Sequence, residues 1–378
     1  MKATIEKAAL LDAVGWAARS LPSRPSVPVL AGLKLTAAGD ALTVEGFDYE
    51  VSSQTSVTAT VAEPGVTLVS GRLLAEIAKA LPNKPVQLST VGASVELTCG
   101  SARFTLPTMP VEDYPTLPDL PATVGTVDAA AFVGAVAQVA IAAGRDESLP
   151  MMTGVRVELS GNTLALLATD RYRLALREIV WDAADPDATA NALIPAKTLM
   201  EAAKQLGNGG PVTVSLSGDP MQGLVGFSAG GKRTTSRLLD GANYPPVRTL
   251  FPEPDKITRT ALVNVAALRE VVGRVALVAE RTTPVRLSFT ADGLTVEAGG
   301  TEDARASERM DVASFVGEPL TIAFNPQYLL DGLIALGTPA AHIAFMDGFK
   351  PAVLSPADGD GKPTDSYRYL IMPIRVAR

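Results

Sequence analysis

The sequence predicts an α+β protein of three structurally similar domains, each with two helices packed on antiparallel sheets. Three observations carry that expectation. A segment with helical apolar spacing opens each third of the chain, at Ile5–Arg19, Asp128–Ala143 and Asn264–Ala279, with Leu10, Phe132 and Leu268 at matching core positions. A strand, a turn and a second strand follow each, around Gly39-Asp40-Ala41-Leu42, Gly161-Asn162-Thr163-Leu164 and Asp292-Gly293-Leu294. A second helix then closes each copy behind a short apolar strand, at Gly71–Leu81, Ala196–Leu206 and Pro326–Leu336, with Leu74, Leu199 and Leu329 in correspondence.

Further strands follow each second helix, as at Val86–Thr90, Ser94–Cys99 and Arg103–Leu106 in the first copy. The Pro-rich stretches Tyr114–Pro121 and Tyr244–Pro254 read as stiff linkers, which sets domains at 1–121, 122–253 and 254–378. Strands with one apolar face, joined to amphipathic helices, place sheet on one side of each copy and helices on the other.

Composition narrows the chemistry. With 47% hydrophobic and 19% charged residues, the chain is an ordinary globular one. The single Cys99 excludes an internal disulfide or a cysteine cluster, and the single His342, on an alternating strand that would turn it outward, leaves little for metal or imidazole chemistry. Glu6, Lys7 and Asp12 interrupt any signal-peptide core, and the apolar run Ala129–Gly144 falls short of the roughly 20 residues that cross a bilayer. A cytoplasmic protein with no catalytic residues, metal, cofactor or membrane contact is expected. Gly226–Arg233 comes within one residue of a P-loop, but Arg233 stands where a Ser or Thr is needed and a strand follows, so a hairpin turn is the reading. Asp358, Asp360 and Asp365 fall in a Gly- and Pro-containing stretch that reads as a solvated loop.

Two clusters ask for a function. Ala168–Ala175 packs Asp170, Arg171, Tyr172 and Arg173 between the apolar strands Thr163–Leu167 and Leu174–Val180, and the spacing alone fits a solvated turn as well as a functional loop. Arg72 and Lys79 on the second helix of copy one match Lys197 and Lys204 in copy two, two turns apart on one face, while copy three has Gln327 and Ile334 there. A solvated face and a phosphate-facing one both fit. The net charge of −7 argues against a conventional DNA-binding domain, yet an acidic chain can still present a basic face.

Thr169-Asp170-Arg171-Tyr172-Arg173-Leu174-Ala175 resembles the central signature of the bacterial DNA polymerase III beta subunits, the sliding clamps, and two more segments resemble that family, Asn243–Pro252 and Tyr369–Val376. The resemblance covers the whole chain. It implies half of a closed ring made by a head-to-tail homodimer, which encircles double-stranded DNA without sequence preference and tethers the replicative polymerase, the clamp loader and other partners through short peptides. It also implies a peptide-binding cleft of Met152, Thr169, Arg171, Tyr172, Arg173, Leu174, Pro245, Arg248, Leu250, Phe349, Pro351, Leu370, Met372, Pro373, Ile374 and Arg375. It turns Arg24, and the helix positions Arg72, Lys79, Lys197 and Lys204, toward DNA, and sets Arg103 and Phe104 of one chain against Leu277, Glu302, Asp303 and Glu308 of another. Two departures bear on the cleft: Arg171 replaces a glycine common in the family, and Thr249 stands where some members carry an arginine. The alternative is a monomeric three-domain scaffold that binds peptides without encircling DNA.

Overall fold

The computed structural model describes residues 1–217, 223–279, 283–299 and 304–375. The second helix of each copy forms close to the range its apolar spacing predicts: α2 at Gly71–Ala80, α4 at Ala196–Leu206 and α6 at Pro326–Leu336. The first helices are shorter than expected, α1 covering Lys7–Ala17, α3 Ala129–Ala140 and α5 Val265–Val275. The cause is local. Each last turn tightens, to 3-10 helix at Ala18–Ser20 and Ala276–Val278, and to i→i−3 hydrogen bonds at Ala142 and Ala143. Side chains cap the starts: Asp128 accepts from Ala131 N (2.8 Å), Asn264 from Ala267 N (2.9 Å) and Asn325 from Gln327 N (2.9 Å). Pro326 in the first turn and Gly337 at φ 67° bracket α6.

The chain divides into two compact units, one of residues 1–132, 181–186 and 201–238, the other of 133–180, 187–200 and 239–378. In the first, a five-stranded antiparallel sheet runs Thr60–Glu63, Lys2–Ile5, Val86–Val91, Ser94–Cys99, Ala102–Pro107. Beside it in the same unit, a nine-stranded sheet runs Asp182–Ala183, Thr123–Val127, Val212–Leu216, Leu224–Ala229, Lys232–Arg237, Val51–Thr58, Ala41–Phe47, Gly32–Ala38, Gly65–Ser70. Leu10 and Val14 of α1 and Leu74 and Ile77 of α2 bury against Leu35, Leu42, Leu88 and Leu97 of these sheets.

The second unit repeats the plan. Its nine-stranded sheet runs Thr189–Pro195, Gly154–Ser160, Thr163–Thr169, Arg173–Val180, Tyr367–Ile371, Ala352–Pro356, Ala340–Phe345, Arg259–Asn264, Ser314–Val316. A four-stranded sheet runs Ala306–Met310, Gly293–Ala298, Val285–Thr290, Leu320–Phe324.

Both nine-stranded sheets cross from one repeat to the next, four strands from the earlier copy and five from the later. Successive repeats are therefore joined by strand pairing, Val51–Thr58 on Lys232–Arg237 and Arg173–Val180 on Tyr367–Ile371. The Pro-rich stretches read as stiff linkers are packed at their starts, where Tyr114 and Tyr244 are buried, and Val247–Leu250 forms a 3-10 turn. Gly226–Arg233 is the expected hairpin: Ala229 pairs with Lys232 across Gly230 and Gly231, at φ 56° and 77°. His342 is half-buried, not turned fully outward, and burial lowers its pKa. No helix among the described residues is long and apolar enough to cross a membrane.

Candidate functional site

The polar octet folds into a tight turn between Thr163–Thr169 and Arg173–Val180. Asp170 Oδ1 accepts from Tyr172 N and Arg173 N, both at 3.0 Å, and Thr169 Oγ1 donates to Arg173 O (2.7 Å) while accepting from Arg171 N (3.1 Å). To close this turn Arg171 takes φ 79°, a left-handed conformation that a non-glycine residue adopts at a cost. Arg171 and Tyr172 are thereby left exposed while Arg173 is buried.

Arg173 fastens the turn to α6. Its Nε donates to Asp170 Oδ2 (2.9 Å), its Nη1 to Asp331 Oδ2 (2.6 Å), and its guanidinium lies 4.4 Å from the Tyr328 ring centroid. Burial works against that charge, but Tyr369 and the two carboxylates outweigh it and hold the arginine's pKa above its ordinary value. Tyr369 in turn donates to Tyr328 O (2.8 Å), and burial raises its own pKa.

A groove of about 620 Å³ opens beside the turn, lined by Met152, Arg171, Tyr172 and Arg173 of the expected residues. It is also lined by Arg145, Asp146 and Leu149 and by Gln327, Tyr328 and Asp331 of α6, none of which the sequence reading placed in the cleft. Asn325-Pro326 marks the start of α6, and so Tyr328 and Asp331, three apart, fall on one face. That this face meets a turn some 158 residues upstream has no signal in a single sequence.

The other expected residues differ in their surroundings. Thr169, Leu174 and Leu370 are buried, Leu174 opposite Leu370 across paired strands in one apolar cluster with Tyr244 and Val247. Leu250, Phe349, Met372 and Ile374, like Tyr172, are exposed large apolar residues. Met372 N donates to Tyr172 O (2.8 Å), which ties the end of Tyr367–Ile371 to the turn, while Pro245, Pro351 and Pro373 are half-buried and Arg375 is exposed. Arg248 is committed within the chain, its Nε donating to Glu158 Oε2 (2.7 Å) and its Nη1 to Glu178 Oε1 (2.8 Å). Burial is opposed by these carboxylates, which raise its pKa.

Elsewhere Arg24, Arg72, Lys79, Lys197 and Lys204 are all exposed. Arg72 Nη2 donates to Pro22 O and Ser23 O, both at 3.0 Å, which holds the loop carrying Arg24 against α2. Arg103 is exposed on the edge strand Ala102–Pro107, Phe104 is partly buried against the core, and Leu277 is 84% exposed. Glu308 accepts two hydrogen bonds from Arg274, at 3.0 and 2.7 Å, which lower its pKa. Glu302 and Asp303 lie outside the described residues.

Profiles of the DNA polymerase III beta subunit match the chain in three consecutive parts: the N-terminal domain over residues 1–118, the central domain over 126–246 and the C-terminal domain over 248–375. The chain is 52% identical over 379 residues to the beta sliding clamp of Streptomyces coelicolor, covering all of both chains. Its structure superposes with a TM-score of 0.91 on the sliding clamp of Bacillus subtilis, at 27% identity and full coverage of both chains. The sliding clamp of Pseudomonas aeruginosa bound to griselimycin is also similar at TM-score 0.91, with 28% identity and full coverage of both.

Proposed function

We propose, from the premise that this chain belongs to the DNA polymerase III beta subunit family, that it is a sliding clamp. Two chains close a ring around duplex DNA, catalyse nothing, and hold polymerase, clamp loader and other partners by short peptides in the groove beside Tyr172. We take its three domains at about 1–121, 122–253 and 254–378, and the three successive profile matches support this. A protein that holds duplex DNA and a polymerase acts in the cytoplasm.

The observation that carries this reading is the strand arrangement. Within the chain, the four-stranded half of one copy twice meets the five-stranded half of the next. What is left over is one five-stranded sheet ending at Ala102–Pro107 and one four-stranded sheet ending at Ala306–Met310. An open edge is a template for pairing. Pairing these edges between two chains repeats the existing junction twice and closes the series with two-fold symmetry.

The register follows from the first junction. Lys232, just after its hairpin turn, pairs with Thr55, and the corresponding residues are Ala102 and Glu308. Ala102 is thereby set opposite Glu308 of the partner subunit. Arg19, in the turn after α1, bonds Glu201 of α4 at 2.9 Å. Leu277 holds the same place after α5, so it would meet the α2 face of the second chain, where Leu73 is exposed. Apolar contact there supplies affinity, and charges at its rim set register and rate.

The exposed cations Arg24, Arg72, Lys79, Lys197 and Lys204 suit weak, sequence-independent phosphate contacts that keep a duplex centred and mobile. The exposed Tyr172 and Met372, joined by the bond from Met372 N to Tyr172 O, suit apolar anchors from many partners.

Light scattering at micromolar concentration tests the ring. The expected mass is twice the 39.2 kDa of one chain, falling toward one chain in Arg103→Glu/Phe104→Ala. A one-chain mass for the unaltered protein would leave the monomeric scaffold instead. Calorimetry tests the cleft: a Gln-x-x-Leu-Phe peptide should bind near micromolar, about −8 kcal/mol, and Met372→Ala should cost about 2 kcal/mol.

A further inference from the structure

The turn at the second junction has a structural twin at the first. Asp48 Oδ1 accepts from Glu50 N (2.9 Å) and Val51 N (2.7 Å), as Asp170 does from Tyr172 N and Arg173 N. Tyr49 takes φ 75° and Arg171 φ 79°, and they are the only non-glycine residues with positive φ among those described. Arg237 N donates to Glu50 O at 2.9 Å, as Met372 N does to Tyr172 O at 2.8 Å. Even the buried tyrosines match, for Tyr114 and Tyr244 each begin a Pro-rich stretch and each keeps a hydroxyl with no partner in the described structure.

Beside this twin a groove of about 350 Å³ is open in the first unit. Pro115, Pro118, Leu224 and the ring of Tyr49 form its apolar walls, with Phe47 packed edge-on to Tyr49 at 5.7 Å between centroids. Two charges of opposite sign stand on it, Glu50 and Arg237, and neither has an ion-pair partner among the described residues. Arg237 is oriented by its Nε, which donates to Tyr49 O at 3.1 Å and leaves the Nη atoms for a ligand.

We propose that this groove is a second peptide site, fitted to an extended proline-containing segment of a partner protein with an acidic residue for Arg237 and a basic one for Glu50. Aromatic rings and prolines make the wall on which polyproline-type segments pack, because such segments are already extended and lose little entropy on binding. The charge pattern selects the occupant: two unpaired charges of opposite sign are complementary to a segment that carries both, and a uniformly basic or acidic chain would meet repulsion at one of them. The strained turn supports the same reading, since non-glycine residues with positive φ gather at ligand clamps, and the only other one among the described residues lines the larger groove. The site rests on the first unit alone and holds whether or not the chain forms a ring.

The test is a methyl NMR titration of the full-length protein with the capped peptide Glu-Pro-Leu-Pro-Lys. The Leu224 methyls should shift and saturate at submillimolar to low-millimolar peptide while the Met372 methyl stays still. Arg237→Gln should weaken binding about tenfold, the loss of a charge-assisted contact. With Gln at the peptide's acidic position, the same substitution should cost nothing more. A Gln-x-x-Leu-Phe peptide should move Met372 and leave Leu224 unmoved in both proteins, so failure of one site is read separately from failure of the other. No shift at Leu224 in low-millimolar peptide, or a shift of both reporters together, overturns the proposal.

Discussion

Where Val51–Thr58 meets Lys232–Arg237, the buried side chains are hydroxyls: Ser52 Oγ lies 2.6 Å from Thr235 Oγ1, and Thr234 Oγ1 donates to Ser52 O at 2.6 Å. Where Arg173–Val180 meets Tyr367–Ile371, the residues paired as Ser52 and Thr235 are paired are Leu174 and Leu370. The backbone plan is shared and the cement is not. A neutral hydrogen bond nets about 1 kcal/mol, whereas burying a leucine is worth about 2 kcal/mol, so the second junction gains more from its side chains. It also carries the Arg173 latch, where the first has the uncharged Val51. Repetition supplies the frame, and substitution within the frame decides how firmly a groove is held and what it accepts.

The largest test breaks the latch. Arg173→Ala strands Asp170 and Asp331 and removes the contact with Tyr328, so it should destabilise the protein by about 3 kcal/mol and weaken Gln-x-x-Leu-Phe binding at least about tenfold. Val51→Ala at the matching place should cost less than about 1.5 kcal/mol. Urea unfolding of both variants makes the comparison, and equal losses would show that the ion pairs add nothing.

Much of this was legible beforehand, for stated reasons. Six helices were marked by apolar spacing. The octet drew attention because four charges and a tyrosine interrupt two apolar runs. What escaped reading are the pairings between copies. Val51–Thr58 and Lys232–Arg237 look like ordinary surface strands, and their Ser and Thr residues give no hint that they are buried at a junction. Leu174 and Leu370, expected in the cleft, are covered because their side chains pack in the apolar cluster with Leu193, Tyr244 and Val247. The role of Asp331 depends on tertiary geometry alone, as does the commitment of Arg248 to Glu158 and Glu178.

A second test uses alkaline pH. Burial pushes the Tyr244 pKa up to about 12, with Arg156 opposing the shift and Glu158 adding to it, and burial likewise raises that of Tyr114. An unfolded tyrosine ionises near pH 10, so from there to about pH 12 the unfolded chain loses its proton first. The sign is therefore a loss of stability as pH rises through that window, about 1.4 kcal/mol per unit for each such tyrosine, and none below it. Urea midpoints at pH 9, 10 and 11 should show the slope, and Tyr244→Phe should lower it by one tyrosine's share. An unchanged slope would show that Tyr244 is hydrated.

A third test sharpens the contrast in cement. Thr235→Val leaves Ser52 buried without its partner and should cost about 1 to 2 kcal/mol, while Thr235→Val with Ser52→Ala should recover most of that, because both halves of the bond are then gone. A coupling energy near zero in the double-mutant cycle would mean that the hydroxyls do not hold the first junction.

The smallest effect addresses what the two junctions share. Tyr49 and Arg171 each hold a left-handed conformation that costs a non-glycine residue about 1 to 2 kcal/mol, and glycine would return part of that gain as extra chain entropy, about 0.5 to 1 kcal/mol. Tyr49→Gly and Arg171→Gly should therefore each stabilise the protein by about 0.5 to 1 kcal/mol, read from urea unfolding. The binding consequences should separate even though the stabilities move together. Arg171→Gly clears a cation from the larger groove and leaves the Leu224 reporter silent. Tyr49→Gly removes an aromatic wall from the smaller one, so it should weaken the proline peptide and leave the Gln-x-x-Leu-Phe peptide bound as before. Stabilisation without any change at either groove would make the two strained turns a plain relic of repetition, with no part in holding a ligand.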